Sequence, residues 1–363
     1  MQIPASLDRW LAVLAERGGT DLLLTSNSAP RARVHGDLAP LENEDSLSAG
    51  DVEAIASSLL SPEQLEALDE AGDVDFSFTW RDKARLRGSF FTQRGHRALA
   101  LRMIPGTVPE LDSLGMPPVS EWIASQTRGF ILVTGPTGSG KSTTLAAIVN
   151  RINETRAAHI LTLEDPVEYV HTNKMGVVNQ REIGVDSPSF ARALRSALRE
   201  DPDVVLVGEM RDPESIQIAL TLAETGHLVL ATLHTNDAPQ AVDRIIDVFP
   251  AGQQEQVRVQ LAASLNTVIA QRLLPKEGGG MVAAYEVLVA TAPVRNLIRE
   301  GRSNQIANVM MTSAGDGMQT METHLAQLVR EGVVTFENAQ AVSGRTKELT
   351  RLVEQVASKG SRS

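Results

Sequence analysis

Residues 6–17 carry Leu7, Trp10, Leu11 and Leu14 at helical spacing, stop at Gly18-Gly19 and give way to the apolar run Leu22-Leu23-Leu24. This predicts a helix followed by a strand. Asn27-Ser28-Ala29-Pro30 reads as a turn into a second strand through Val34, two helices follow near 48–60 and 62–70, and strands are predicted over Val74–Trp80, Arg85–Thr92 and Ala98–Ile104. Residues 1–104 therefore predict a small α+β domain.

Between Pro105 and Pro118 stand four prolines and two glycines with few apolar residues, the composition of a connection between domains, placed at 105–120. Downstream, buried-strand patterns at Phe130–Val133, His159–Leu163, Val204–Val207 and Leu228–Leu233 alternate with helical ones, which predicts a parallel sheet covered on both faces. Asp212 and Pro213 suit the N-cap and first positions of a helix, and Gly226 its C′ position. One more strand, Met281–Val289, follows Gly278-Gly279-Gly280, and beyond about Pro293 only helical patterns remain. The expectation is an α/β domain over 121–291, a C-terminal helical region over 292–357 and a frayed tail over 358–363.

Composition narrows the chemistry. The 363 residues, 42% hydrophobic, suffice for two cores. No apolar stretch approaches the roughly 18 residues needed to span a bilayer, and Met1-Gln2-Ile3-Pro4 lacks a basic segment followed by an apolar one, so a soluble, cytoplasmic protein is expected. Cysteine is absent, which removes disulfides, thiolate metal sites and cysteine nucleophiles and leaves oxygen or imidazole to hold any metal. With 45 acidic against 34 basic residues, the net charge of −11 disfavours nucleic acid as a partner.

The strongest local signal is Gly135-Pro136-Thr137-Gly138-Ser139-Gly140-Lys141-Ser142, lying between the apolar run Phe130–Val133 and a helical pattern that opens Thr143-Thr144-Leu145. Strand, glycine-rich loop and helix in that order form a phosphate cradle, because loop amides and a helix N-terminus converge on an anion. ATP with Mg²⁺ is the expected ligand pair: Lys141 would meet the β- and γ-phosphates, and the Ser142 hydroxyl would ligate Mg²⁺. Ligands of open parallel sheets lie at the strands' carboxyl ends, so the polar residues that end the apolar runs come next. Glu164 ends one run, Glu209 follows Gly208 after another, and His234 ends a third. Glu209 is the candidate for orienting the attacking water and Glu164 for supporting the metal's hydration shell or a second water; a cap or salt bridge is the alternative for either. His234 reads either as a donor to the γ-phosphate or as a satisfied structural group. Many phosphate-loop enzymes place an aspartate where Gly208 stands, so the acidic side chain here is displaced by one residue. Arg192, Arg195 and Arg199 are expected on one face of one helix, either a solvated stripe or a subunit interface, with Arg211 and Arg244 near other motif ends.

GPTGSGKSTTLAAI, ILTLEDPVEYVH, VVNQREIG, ALRSALREDPDVVLVGEMRD, AETGHLVLATLHTNDA and RIIDVFP, in this order, resemble the secretion and type IV pilus ATPase family, and its retraction branch in particular. Val294-Arg295-Asn296-Leu297-Ile298-Arg299-Glu300 extends the likeness toward the C-terminus. The resemblance implies an N-terminal PAS-like domain, a RecA-like ATPase domain and a hexameric ring that hydrolyses ATP to power pilus retraction. It implies partners as well: the pilus machinery and an inner-membrane platform protein, with membrane association through those partners only. It places Glu164 in an acidic box, Glu209 in an atypical Walker B segment and His227 and His234 in a histidine box, and it adds Thr143 to the loop and Arg87 and Arg102 as arginines that reach nucleotide. Two departures stand out: Leu23 occupies the place of a family histidine, and Pro293-Val294 opens the C-terminal motif. Extension and secretion ATPases, an accessory retraction paralogue, a nucleic-acid motor and a scaffold that binds but barely turns over ATP are the rival readings. The C-terminal motif is expected to form a helix that either couples the motor to its output through exposed Arg295 and Arg299 or simply closes the C-terminal domain.

Overall fold

The computed structural model describes residues 3–34, 37–81, 84–104 and 107–360, with the side chains of 355–360 excepted. Pro105 and Gly106 of the expected connection, Met1-Gln2 and the tail residues 361–363 lie outside the described residues. Two compact units emerge, 1–107 with 168–170, and 108–167 with 171–363.

The first unit runs α1 (Ala5–Glu16), β1 (Asp21–Thr25), β2 (Arg31–Val34), β3 (Asp37–Pro40), α2 (Ala49–Leu59), α3 (Pro62–Ala71), β4 (Asp73–Trp80), β5 (Ala84–Gln93) and β6 (His96–Ile104). Its strands form one antiparallel sheet in the order β3-β2-β1-β6-β5-β4. Alternation along the strands turns Leu22, Leu24, Phe76, Leu86, Phe90, Leu99 and Leu101 into one core, which Leu7, Leu11 and Leu14 of α1 and Val52, Ile55 and Leu59 of α2 complete. Capping boxes at Ser48/Asp51 and Ser61/Gln64 start α2 and α3, each stabilising its helix by about 1 kcal/mol. Arg33, Asp21, Arg102 and Arg87 are successive register partners across β2, β1, β6 and β5.

In the second unit a short 3-10 turn (Leu111–Leu114) and α4 (Val119–Ser125) precede β7 (Gly129–Thr134), α5 (Lys141–Thr155), β8 (His159–Glu164), β9 (Val177–Glu182), α6 (Phe190–Ala197), β10 (Val204–Val207), α7 (Pro213–Glu224), β11 (Leu228–Leu233), α8 (Ala238–Asp247) and α9 (Ala251–Ser264). Then come β12 (Leu265–Pro275), β13 (Met281–Val289), α10 (Ala292–Arg299), α11 (Ile306–Thr312), α12 (Met321–Arg330), α13 (Phe336–Val342) and α14 (Thr346–Gly360). The sheet order is β13-β12-β7-β11-β10-β8-β9, parallel except for β13. One face is covered by Leu194 of α6, Ile216 and Leu220 of α7, Ile245 of α8 and Leu261 of α9; the other by Leu145, Ile148 and Ile152 of α5 with Ile123 of α4. α12–α14 pack through Leu325, Ala339 and Leu349 on Leu274 and Ala284 of β12 and β13. The α+β and α/β classes expected for the two parts are both present.

Several details depart from the sequence expectation. Leu111, within the expected connection, is buried in the core of the second unit with Ile123. β12 follows α9 without an intervening turn residue, so no punctuation announced it. β9 has the composition of an edge (Val-Val-Asn-Gln-Arg-Glu) and β3 ends in Pro40. α6 ends at Ala197, which leaves Arg199 beyond the helix that was expected to carry all three arginines. Arg295 is half-buried and donates to Ala262 O (2.5 Å) and Ala263 O (2.8 Å), so it caps the C-terminal carbonyls of α9 and is not an exposed charge. Only Arg299 of that pair lies on the exposed side. α14 continues to Gly360, three residues into the expected frayed tail.

Candidate functional site

Parallel register decides which side chains share an edge of the sheet. Thr134 of β7 lies opposite Leu233 of β11, Val207 of β10 opposite Ala231 of β11, and Val207 opposite Leu163 of β8. Four neighbouring strands therefore end nearly level. The glycine-rich loop leaves the end of β7, His234 the end of β11 and Glu209 the end of β10, while Glu164 is the last residue of β8. Thr134 Oγ1 donates to Thr235 O at 2.7 Å and ties the first two ends together. His227 immediately precedes β11 at the strand's other end, about 20 Å away by strand rise, with Nδ1 3.0 Å from Leu222 O. The fold does not bring it to this edge.

The loop is shaped by glycine where side chains have no room or no conformational access. Gly138 and Gly140 hold φ of 78° and 87°, and a Cβ on Gly140 would come within 2.8 Å of Gln271 Nε2. α5 begins at Lys141 with Gly140 at its N-cap and no side-chain cap hydrogen bond. Lys141 is buried, and its Nζ donates to Gly135 O (2.8 Å) and Pro136 O (3.0 Å). Ser139 Oγ is buried with no hydrogen-bond partner, a polar atom aimed into the same loop. Pro136, Thr137 and Gly138 form the solvent-facing lip, while Ser142 and Thr143 are half-buried in the first turn of α5. β12 braces the loop from behind: Thr144 Oγ1 donates to Gln271 Oε1 at 2.8 Å.

Glu209 Oε1 accepts from Arg211 Nε at 2.6 Å and lies 3.0 Å from His234 Nε2. A carboxylate only accepts, so Nε2 of His234 carries the hydrogen. Burial alone would raise the Glu209 carboxyl, but Arg211 and His234 outweigh it and hold the group below its ordinary value. Glu164 Oε1 accepts from Thr162 Oγ1 (2.6 Å) and Gln180 Nε2 (3.2 Å). At Gly208, where many phosphate-loop enzymes carry an aspartate, a side chain would be crowded by backbone. A Cβ there would meet Leu163 O at 3.1 Å and Glu164 Cα at 3.3 Å, and Thr232 Oγ1 donates to the Gly208 carbonyl. The acid comes one residue later, at Glu209.

Arg102 and Arg87 belong to the first unit, directly opposite one another on β6 and β5; Arg102 Nε donates to Asp21 Oδ1 at 2.7 Å and Arg87 stands 3.8 Å from Asp75. Arg192 and Arg244 are exposed, and Arg195 pairs with Glu214. Leu23, where the family resemblance expects histidine, is half-buried in β1. Sequence reading missed Gln271 and Arg272, which stand on opposite faces of the unannounced β12; Arg272 donates to Asn236 Oδ1 at 2.9 Å. It also missed Glu286, although an acid inside the apolar run Ala283–Val289 was a signal, since a carboxyl in a buried strand needs partners.

Comparison with known proteins places this geometry. The family model described as Type II/IV secretion system protein matches residues 70–341. A twitching motility protein of Neisseria gonorrhoeae is 52% identical over 313 residues, 86% of this chain and 83% of its own. The type IV pilus retraction ATPase PilT of Pseudomonas aeruginosa is 46% identical over 335 residues, covering 91% of this chain and 96% of its own. A crystal structure of the pilus retraction motor PilT with bound ADP superposes with a TM-score of 0.89 at 47% identity, over 95% of this chain and 99% of that one. With the match spanning well over half of the sequence and the fold shared throughout, the chain belongs to the type II/IV secretion system protein family.

Proposed function

We propose that this chain is an ATP-hydrolysing motor that powers type IV pilus retraction and twitching motility. The reading is carried by the level ends of β7, β11, β10 and β8, which gather a phosphate cradle, His234, Glu209 and Glu164 along one edge, in a chain close to half identical to a retraction motor.

The roles follow from the chemistry. Loop amides of residues 135–140 and the uncapped start of α5 receive the phosphates, and Lys141 exchanges its two loop carbonyls for the β- and γ-phosphate oxygens. Ser142 Oγ and the Glu164 and Glu209 carboxylates are hard oxygen donors of the kind Mg²⁺ selects, and Ser142 would hold the ion, which neutralises charge developing on the phosphates. Glu209, kept ionised, orients the attacking water; His234 faces the same carboxylate and senses the γ-phosphate. Arg87 and Arg102 supply guanidinium groups to the nucleotide. The motor works as a homo-hexamer in the cytoplasm, at the inner-membrane face when engaged with a platform protein of the pilus machinery, and nucleic acid is not a partner. Among the described residues no helix is long and apolar enough to cross a membrane.

The decisive experiment has two arms. Purified Glu209→Gln retains MgATP while turnover falls roughly 10²-fold or more, whereas Lys141→Ala loses nucleotide affinity. Cells lacking the chain keep surface pili but lose retraction. Near-normal turnover by Glu209→Gln removes it from the chemistry, and intact retraction without the chain removes the motor role.

A further inference from the structure

Thr162 and Gln180 are register partners on β8 and β9, and Glu164 follows Thr162 on the same face of its strand. Both side chains reach that carboxylate: Thr162 Oγ1 donates to Glu164 Oε1 at 2.6 Å, and Gln180 Nε2 donates to the same oxygen at 3.2 Å. The other end of the Gln180 amide is engaged as well, its Oε1 accepting the His171 backbone amide at 2.8 Å. A backbone N–H only donates, so the oxygen of Gln180 faces His171 and its NH2 group faces Glu164. Turned over, the amide would set donor against donor at one end and acceptor against acceptor at the other.

The anchor of that amide is itself held. His171 opens a segment stitched to α5, the helix that begins at Lys141 of the phosphate loop: Asn153 Nδ2 donates to Thr172 O at 2.8 Å, Asn153 Oδ1 accepts the Lys174 amide at 3.2 Å, and Lys174 Nζ donates to Asn150 Oδ1 at 2.8 Å. Asn173 Oδ1 accepts the Val178 amide at 2.9 Å, which ties the same segment back to β9. Along β9, Val178 and Glu182 are buried while Val177 and Asn179 are exposed, so Gln180 lies on the inner face between two buried neighbours. One glutamine thus spans from an acid at the strand ends to a segment fastened to the helix of the phosphate loop.

We propose that Gln180 is a positioning residue for ATP turnover, one that fixes the rotation of the Glu164 carboxylate at the nucleotide edge. The catalytic consequence rests on the proposed ATPase reading; the hydrogen-bond arrangement does not. The terminal torsion of a glutamate is broad and has no sharp staggered well of its own. Two donors on one oxygen supply the restraint that the torsion lacks, Thr162 from the carboxylate's own strand and Gln180 from the neighbouring one. Hydrogen bonds to an ionised acceptor are the strong ones, and a carboxylate turned away from its working angle loses alignment with the reacting groups.

Two substitutions in the full-length protein separate the donor from its anchor. Gln180→Glu keeps an oxygen for the His171 amide but sets a carboxylate against Glu164, whereas Gln180→Met, of similar length, supplies neither bond. Steady-state ATP turnover and amide hydrogen exchange at His171 are measured for both. In Gln180→Met kcat falls about tenfold, the size of one lost hydrogen bond to a charged group, and in Gln180→Glu it falls further because like charges meet, with KM changed by less than about twofold in either. His171 keeps its protection in Gln180→Glu and loses it in Gln180→Met. In a Glu164→Ala background neither substitution lowers kcat by more than about twofold beyond Glu164→Ala itself, since a residue that acts through Glu164 has nothing left to act on. Parental kcat in either variant overturns the proposal, as does a loss that adds in full to that of Glu164→Ala, the mark of general damage to the fold. Unchanged His171 exchange in Gln180→Met overturns it too, because the amide then lacks its anchor. Should Gln180→Glu fail to fold, the Gln180→Met cycle decides alone. Parental kcat in Glu164→Ala removes the group to be positioned and overturns the proposal while the motor reading stands; a parent chain with no ATP turnover defeats the motor reading, and the positioning role with it.

Discussion

At the scale of single residues, the site sets one carboxylate against a guanidinium and an imidazole. Glu209 stays ionised because Arg211 and His234 outweigh its burial. A depressed carboxyl contributes stability above its unfolded value of 4.5 and loses it as pH falls through the lower folded value, and the ionised form proposed to orient water follows the same order. In Arg211→Ala, burial is left with one fewer opponent and the carboxyl rises. The acid limb of the kcat–pH profile then moves to higher pH, measured by steady-state turnover at fixed ionic strength; superimposable acid limbs would show that Arg211 does not tune Glu209. The phosphate loop was legible at this scale because its residues are contiguous. Gln271, Arg272 and Glu286 were not, because their partners lie roughly 35 to 130 residues away and only register brings them together.

At the scale of elements, the helix that opens the C-terminal region shows what periodicity alone conceals. Spacing placed Arg295 and Arg299 on one face, yet Arg295 reaches the carbonyl end of α9, where a cation offsets the negative end of the dipole, while Arg299 lies near Asn296 of its own turn. Burial pulls the Arg295 guanidinium below its ordinary value, and its neighbour Arg299 pulls the same way. Arg295→Ala leaves two carbonyls without their donor and should destabilise the second unit by about 1–2 kcal/mol, lowering Tm by about 2–4 °C in calorimetry. Arg299→Ala should leave Tm unchanged, which makes it the cleaner probe of whether this helix transmits force to a pilus. Equal melting shifts for the two variants would refute the capping role. The strands bounded by glycine and proline were readable from their apolar runs, whereas β12 was hidden by the unbroken passage from α9 and β9 by its polar edge composition.

For the whole molecule, the fold class and the order of the chemical motifs followed from the sequence, while the sharing of core between the sheet and α10–α11 did not, since Val294, Ile298, Ile306 and Met310 join the cluster that includes Leu220 and Ile245. The hexamer proposal carries its own check. If arginines complete the nucleotide site across a ring, specific activity falls on dilution in step with ring dissociation, measured by mass photometry alongside turnover. A monomer with full specific activity would refute the shared site. The seamless joint between Ser264 and Leu265 has a different kind of consequence, for anyone who wishes to edit this chain. A strand has a period of two, so a single codon inserted at that joint would turn β12 over: Gln271 would lose Thr144, Arg272 would lose Asn236, and both sides of the phosphate loop would be unsupported at once. The hairpin tip Gly278–Gly280, where an added Cβ meets nothing within 4 Å, has slack to take a fluorescent tag or an epitope. Between two positions only 14 residues apart, one tolerates a whole inserted domain and the other not one amino acid.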